Sequence, residues 1–260
     1  MNRIASTLQE YQSKKKTIIV PYITPEFPVK GTTVPLILAL EKSGAGMIEV
    51  GIPFSDPLAD GPTIQHSSEI AISNGATLRR VLELIAEART QTTIPLILMG
   101  YINPILNYGI EKFLQDAKKS GVDGLIIPDM PPEESDEFRL QCLKNELSNI
   151  FLIAPTSSEE RIRYIDSIST DFTYCVSVTG VTGAKNSFDD GFDIFLTRVK
   201  KNTTKPFVVG FGIKSKEQIK HISTFANGAV VGSALLQAIS EKKNIDDAVS
   251  GARQFFSSLV

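Results

Sequence analysis

The feature that most limits what this chain can fold into is an eightfold alternation of short β-branched runs with stretches of helical apolar spacing. Near-continuous apolar runs occur at 17–24 (TIIVPYIT), 47–53 (MIEVGIP), 94–100 (IPLILMG), 124–129 (GLIIPD), 150–155 (IFLIAP), 173–178 (TYCVSV), 206–212 (PFVVGFG) and 228–234 (GAVVGSA). Each has strand length and strand composition. A polar loop and an amphipathic segment follow each one, in order LILALEKSG, TLRRVLELIAEA, IEKFLQDAKKSG, ESDEFRLQCLKN, SEERIRYIDSI, FDIFLTRVKK, SKEQIKHISTF and NIDDAVSGARQFF. Continuous apolar strands alternating with helices call for a parallel sheet buried on both faces. A closed barrel and an open doubly wound sheet both meet that demand. Eight units in 260 residues, with no linker or break in composition, favour closure into one (β/α)8 barrel over residues 1–260. Residues 1–13 read as an extra helix closing the bottom of that barrel. Ser215 and Gln218 have the spacing of a capping box at the start of the seventh helix.

Composition removes several functional classes. The formal net charge is -2, and no Lys/Arg cluster interleaves with aromatics, so nucleic acid finds no electrostatic footprint. The apolar stretch from Thr17 to Thr24 is interrupted by Pro21 and is far shorter than the ~20 residues a membrane span needs. Cys142 and Cys175 are distant in sequence, as are His66 and His221, which argues against a disulfide framework or a zinc cluster. The two thiols are expected to be buried and structural, and the compartment the reducing cytoplasm.

In a barrel, chemistry is built at the C-terminal ends of the strands. Strand alternation puts Met47, Glu49 and Gly51 on one face of the second strand and Ile48, Val50 and Ile52 on the other. The branched residues suit the helix-facing side, so Glu49 is expected to point into the barrel. An unpaired carboxylate there stays protonated through a raised pKa, which suits a general acid. The following loop, PFSDPLADGPTIQ (53–65), carries Asp56 and Asp60 among Pro and Gly. Ordinary turn chemistry explains both, and Asp60 has the position of a cap for a helix beginning at Pro62. Gly210, Gly212, Gly232 and Ser233 stand at the tops of the seventh and eighth strands, where this fold commonly binds phosphate. The segment from Thr179 to Phe192 has few apolar anchors and the length of a lid.

The string PFSDPLADGPTIQ, preceded by Glu49, is similar to the signature of tryptophan synthase α subunits. YINPILNYG (101–109), the D-x-P-x-E-E segment at 129–134, SVTGVTGA (177–184), GFGIKSKEQ (210–218) and GSA (232–234) agree in the same order, so the resemblance runs along nearly the whole chain. It implies a TIM barrel and a lyase of tryptophan biosynthesis. It further implies that Glu49 and Asp60 are the catalytic carboxylates. Substrate phosphate is then expected at Gly183, Gly212, Gly232 and Ser233. The indole is expected among Tyr22, Met99, Tyr101, Tyr174 and Phe211, with Thr182 near Asp60. Two departures bear on the indole pocket. The loop after strand one reads Thr24, Pro25, Glu26, Phe27, Pro28 where a glycine is common, and Tyr22 and Met99 stand where Phe and Leu are frequent.

The reaction so implied is a retro-aldol cleavage of indole-3-glycerol phosphate to indole and glyceraldehyde 3-phosphate. None of the eight strands contains a Schiff-base lysine, and the sequence has no His-rich cation site. The substrate must then supply its own electron sink through protonation at indole C3. No cofactor is expected in this chain. The resemblance implies a pyridoxal-phosphate β subunit as partner in an α2β2 assembly, with partner contacts around Pro53, Phe54, Asp56, Pro57, Asn103, Pro104 and Pro132. A stand-alone indole-releasing lyase, and a weakly active subunit whose main task is to activate its partner, remain open alternatives at this point.

Overall fold

The computed structural model describes residues 2–176, 190–210 and 212–260. Strands β1 (Ile18–Ile23), β2 (Ile48–Gly51), β3 (Leu96–Met99), β4 (Gly124–Ile126), β5 (Ser148–Ile150), β6 (Leu152–Ile153), β7 (Thr173–Val176), β8 (Phe207–Gly210) and β9 (Gly228–Val231) form one parallel sheet. Around it lie α1 (Arg3–Ser13), α2 (Thr33–Lys42), α3 (Pro62–Ser73), α4 (Leu78–Arg89), α5 (Ile102–Tyr108), α6 (Ile110–Ser120), α7 (Asp136–Lys144), α8 (Glu159–Ile168), α9 (Asp190–Asn202), α10 (Lys216–Ile222), α11 (Ser233–Ile239) and α12 (Ile245–Ser257).

The sheet order is β5-β4-β3-β2-β1-β9-β8-β7-β6. Its two ends, β5 and β6, are consecutive in the chain and separated only by Phe151, so the sheet closes on itself as a (β/α)8 barrel. The run expected at 150–155 is thus one barrel strand in two pieces, beginning earlier, at Ser148, and ending at Ile153. Its first half pairs with β4 and its second with β7. Phe151 spends its carbonyl on the Tyr174 amide, 3.1 Å away, which carries the ladder across the break.

Strand residues are buried on both faces, as an all-parallel sheet requires. The register sets Tyr22 level with Glu49, and Glu49 level with Ile97. These side chains share the inner face, while Ile48, Val50, Leu96 and Leu98 pack outward under the helices. α4 shows the logic of the outer layer. Its buried Leu78, Val81, Leu82, Ile85 and Ala88 recur at helical spacing, and Thr77 caps its start by accepting from the Arg80 amide. α1 closes the barrel floor as expected: the Ile4 side chain lies against Gly124 and Tyr11 against Gly46.

Among the described residues, three helices add to the eight-unit pattern, namely α3, α5 and α11. At α10 the Ser215 hydroxyl accepts from the Gln218 amide at 3.3 Å, but Gln218 reaches back to the amide of Lys214 rather than to that of Ser215. The reciprocal cap exists, displaced by one residue.

Candidate active site

Glu49 is 1% exposed, and neither carboxylate oxygen has a hydrogen-bond partner among the described residues. Strand parity put it inside the barrel; the register puts Tyr22 beside it on β1. Two residues further along the same face, Gly51 has no side chain, and the Tyr22 hydroxyl occupies the space that a Cβ would take. Across the barrel Gly210 makes the same room for the Tyr174 hydroxyl. Burial raises the Glu49 pKa to about 8, with the Asp60 charge adding to the rise and the Tyr174 hydroxyl opposing it. Glu49 is thus a protonated acid at neutral pH.

Asp60 lies in the loop between β2 and α3, and its local role is decided by the cap. α3 starts at Pro62, as anticipated, but its N-cap is Gly61 and no side chain bonds to its first amides. Proline at the first helical position already removes one donor that a cap would satisfy. Asp60 is therefore not the helix cap. Its backbone carbonyl accepts from Gln65 Nε2 at 2.9 Å, which leaves the carboxylate to face Tyr101. Burial raises its pKa to about 6, and the Tyr101 hydroxyl holds the rise in check. Tyr101 is anchored in turn: its oxygen accepts from the Ala59 amide at 2.9 Å, and its ring lies 5.4 Å from that of Phe54. Burial, with the neighbouring carboxylates, raises the pKa of Tyr22, Tyr101 and Tyr174, so all three remain hydroxyl donors.

The structure brings Tyr22, Glu49, Met99, Tyr101 and Tyr174 to one mouth, with Tyr22, Tyr101 and Tyr174 buried and Met99 half-buried. Gly232 joins them, since a Cβ added there would touch the Tyr22 side chain at 3.4–3.8 Å. It precedes α11, whose first amides, those of Ser233, Ala234 and Leu235, donate to no backbone acceptor among the described residues. Gly212 is exposed, with a left-handed φ of 53° and open space beside it. Thr182, Gly183 and Phe211 lie outside the described residues, as does most of the Thr179–Phe192 segment. Phe54, Asp56, Pro57, Asn103 and Pro104 reach the surface, whereas Pro53 and Pro132, expected there with them, are buried. Leu58, which composition did not single out, is 94% exposed in the Asp60 loop.

Sequence reasoning passed over Gln65, Thr24 and Ser67, which hold the Asp60 loop and α3. Gln65 was visible inside the signature string but carried no local signal of its own. A cavity of about 840 Å³ lies elsewhere, at the barrel floor, where Arg3, Lys118 and Arg139 are paired with Asp123, Glu146 and Asp136. Those ion pairs and the floor position mark it as structural surface rather than as a seat for the chemistry.

A closed parallel barrel with two carboxyl groups at its C-terminal mouth defines the class: an α/β-barrel enzyme. The family model for the tryptophan synthase alpha chain matches residues 8–258. This chain belongs to the tryptophan synthase alpha chain family. It is 45% identical to the tryptophan synthase alpha chain of Chlorobium phaeobacteroides, covering 99% of this chain and 98% of that one. The crystal structure of tryptophan synthase subunit alpha from Legionella pneumophila superposes with a TM-score of 0.91 at 38% identity, over 100% of this chain and 97% of that chain. A structure from Pyrococcus furiosus, concerned with mutual activation of the tryptophan synthase α2β2 complex, superposes with a TM-score of 0.88 at 39% identity, covering 94% and 97%.

Proposed function

We propose that this chain, a carbon–carbon lyase of tryptophan biosynthesis, cleaves indole-3-glycerol phosphate to indole and D-glyceraldehyde 3-phosphate with Glu49 and Asp60 as its acid–base pair. The observation that carries the assignment is a fully buried carboxylic acid, opposed only by the nearby Tyr174 hydroxyl among the described residues and with a pKa of about 8, beside a second carboxyl whose pKa is about 6. Environments that separate two like groups in this way assign the acid and the base. Glu49 gives its proton to indole C3, and the ring becomes iminium-like. The Glu49 carboxylate then takes the proton of the adjacent glycerol hydroxyl. The C–C bond breaks, its electrons restore the indole, and the new carbonyl leaves as the aldehyde. Glu49 ends protonated, ready for the next turnover. Asp60, ionised, accepts a hydrogen bond from the indole N–H and stabilises the positive ring. Tyr22, Met99, Tyr101 and Tyr174 supply the indole pocket. The substrate phosphate sits against the free amides at Ser233, with Gly232 and Gly212 allowing close approach.

This assignment has a direct pH signature. The active form needs Asp60 ionised and Glu49 protonated. The profile of kcat/KM is therefore expected to be bell-shaped, rising through about pH 6 and falling through about pH 8. A flat profile across that range would remove the acid–base pair.

The partner is a tryptophan synthase β subunit, which holds the pyridoxal phosphate, in an α2β2 heterotetramer; this chain performs its own step without a cofactor. We place both in the cytoplasm. No helix among the described residues is long and apolar enough to cross a membrane. The exposed Leu58 side chain, with Phe54, Asp56, Pro57 and Asn103, offers the contact surface, and it lies on the same loop as Asp60. A partner that binds one arrangement of this loop shifts its population toward that arrangement. Adding the β subunit is expected to accelerate indole release at least about tenfold, which needs only ~1.4 kcal/mol of differential binding. It is also expected to protect residues 53–62 from proteolysis. Indole release by the isolated chain and by the complex, measured side by side, is the test. Unchanged rates in a demonstrated complex would leave a stand-alone lyase as the function.

A further inference from the structure

We infer that Glu26 is a positioning residue for Asp60, acting through helix α3; the inference rests on Asp60 being a catalytic carboxylate. Glu26 stands in the loop after β1 and is 1% exposed. Its φ of 61° is left-handed, a conformation that a non-glycine residue keeps only where its surroundings hold it. Those surroundings are specific. The Gly31 amide donates to Oε2, and Arg80 Nε, on α4, donates to Oε1 at 3.3 Å. The Glu26 amide donates to Thr33 Oγ1 at 2.8 Å. Its carbonyl accepts from Asn74 Nδ2 at 2.8 Å, and Asn74 is the C-cap of α3.

The same loop grips the other half of α3. Thr24 Oγ1 and Ser67 Oγ lie 2.7 Å apart, and because Ser67 donates to the Ile64 carbonyl at 2.8 Å, Thr24 is the donor. Two residues earlier, Gln65 holds the Asp60 carbonyl. Apolar packing anchors this helix weakly. Its buried residues are Ser67, Ser68 and Ala71, while of its isoleucines Ile64 and Ile70 are only half-buried and Ile72 is exposed. Side chains this small define the position of a helix poorly, so hydrogen bonds from the β1 loop, together with the one from Gln237 Nε2 on α11 to Thr63 Oγ1 at 3.1 Å, fix where α3 sits. α3 begins two residues after Asp60, and a shift of α3 carries Asp60 with it. The buried Glu26 carboxylate must keep both donors, because water cannot replace them, and this gives the loop a single arrangement.

The test is the Glu26→Gly variant of the full chain, with Glu26→Gln beside it. Glycine adopts the left-handed φ freely, so the fold survives while the carboxylate contacts vanish. Glu26→Gln keeps one acceptor oxygen, for Gly31 or for Arg80 but not for both, and is the conservative, partial rescue. Glu26→Gly is expected to lower kcat for indole release about tenfold with KM within about twofold, since misplacing a catalytic group by a fraction of an ångström weakens the transition state more than binding. Glu26→Gln is expected to fall between that variant and the parent. The direct readout is the carboxyl carbon-13 titration of Asp60, identified by its loss in Asp60→Asn. Water entering around a loosened loop lowers the Asp60 pKa from about 6 toward its ordinary 3.8. An Asp60 titration unchanged in Glu26→Gly overturns the inference, whatever happens to kcat. An active Asp60→Asn chain would instead remove the catalytic reading of Asp60 while a moved titration still established the clasp.

Discussion

Glu49→Gln is expected to abolish indole release and at the same time to remove a pH-dependent weakness of the fold. The catalytic loss follows from proton transfer. The amide cannot deliver a proton to indole C3 or take one from the glycerol hydroxyl, and loss of a general acid alone is worth about 10²–10⁴-fold. No lysine in strands β1–β9 can replace it. The effect on stability follows from linkage. The folded pKa of Glu49, about 8, lies above its ordinary 4.5, so the folded protein holds a proton that the unfolded chain releases. Its contribution favours the fold at low pH and is lost as pH rises through about 8, by several kcal/mol on an order-of-magnitude scale. Glutamine has no such slope. Thermal unfolding from pH 5 to 9 (a range of about four units on the linkage scale) should show the variant at least as stable as the parent at the alkaline end, with a flatter dependence. Turnover within a few-fold of the parent would sink the assignment of Glu49.

Asp60→Asn carries the second large effect. The amide keeps the shape of the side chain and removes the negative charge that faces the indole nitrogen. Losing one preorganised charge partner in a water-poor site lowers kcat by about 10²–10³-fold. The acidic limb near pH 6 should disappear from what activity remains, because that limb belongs to the ionisation of Asp60. Asp56→Asn is the contrast. Asp56 is exposed and receives a hydrogen bond from its neighbour Ser55, so its change is expected to weaken contact with the β subunit. Full activity in Asp60→Asn with a lowered melting temperature would place Asp60 among the residues that hold the loop rather than the substrate.

What the residue order determined by itself is whatever short-range periodicity encodes. Near-continuous apolar runs such as IPLILMG read as doubly buried strands, and eight of them alternating with helices in 260 residues favoured a closed parallel barrel over an open sheet. Strand parity, which depends only on the extended backbone, put Glu49 inside that barrel without knowledge of any neighbour. Proline at position 62 marked the start of α3 for an equally local reason. Tertiary structure alone decided the rest. The reading of Asp60 as a cap fell because Gly61 takes that position, and the difference between a capping and a free carboxylate is one of orientation, which composition does not record. The seam at Phe151 depends on β5 and β6 finding different neighbours, β4 and β7, and those pairings are set by barrel closure. The Tyr22 and Tyr174 hydroxyls fill the space over Gly51 and Gly210, contacts between residues far apart in sequence. Glu26 shows the limit most sharply. A glutamate in a loop reads as solvated, and only the approach of Arg80, 54 positions later in the chain, makes it a buried charge with a place to hold. Local periodicity specifies which face a side chain takes, whereas a pKa, a clasp or a catalytic pair depends on what the folded chain brings against that face.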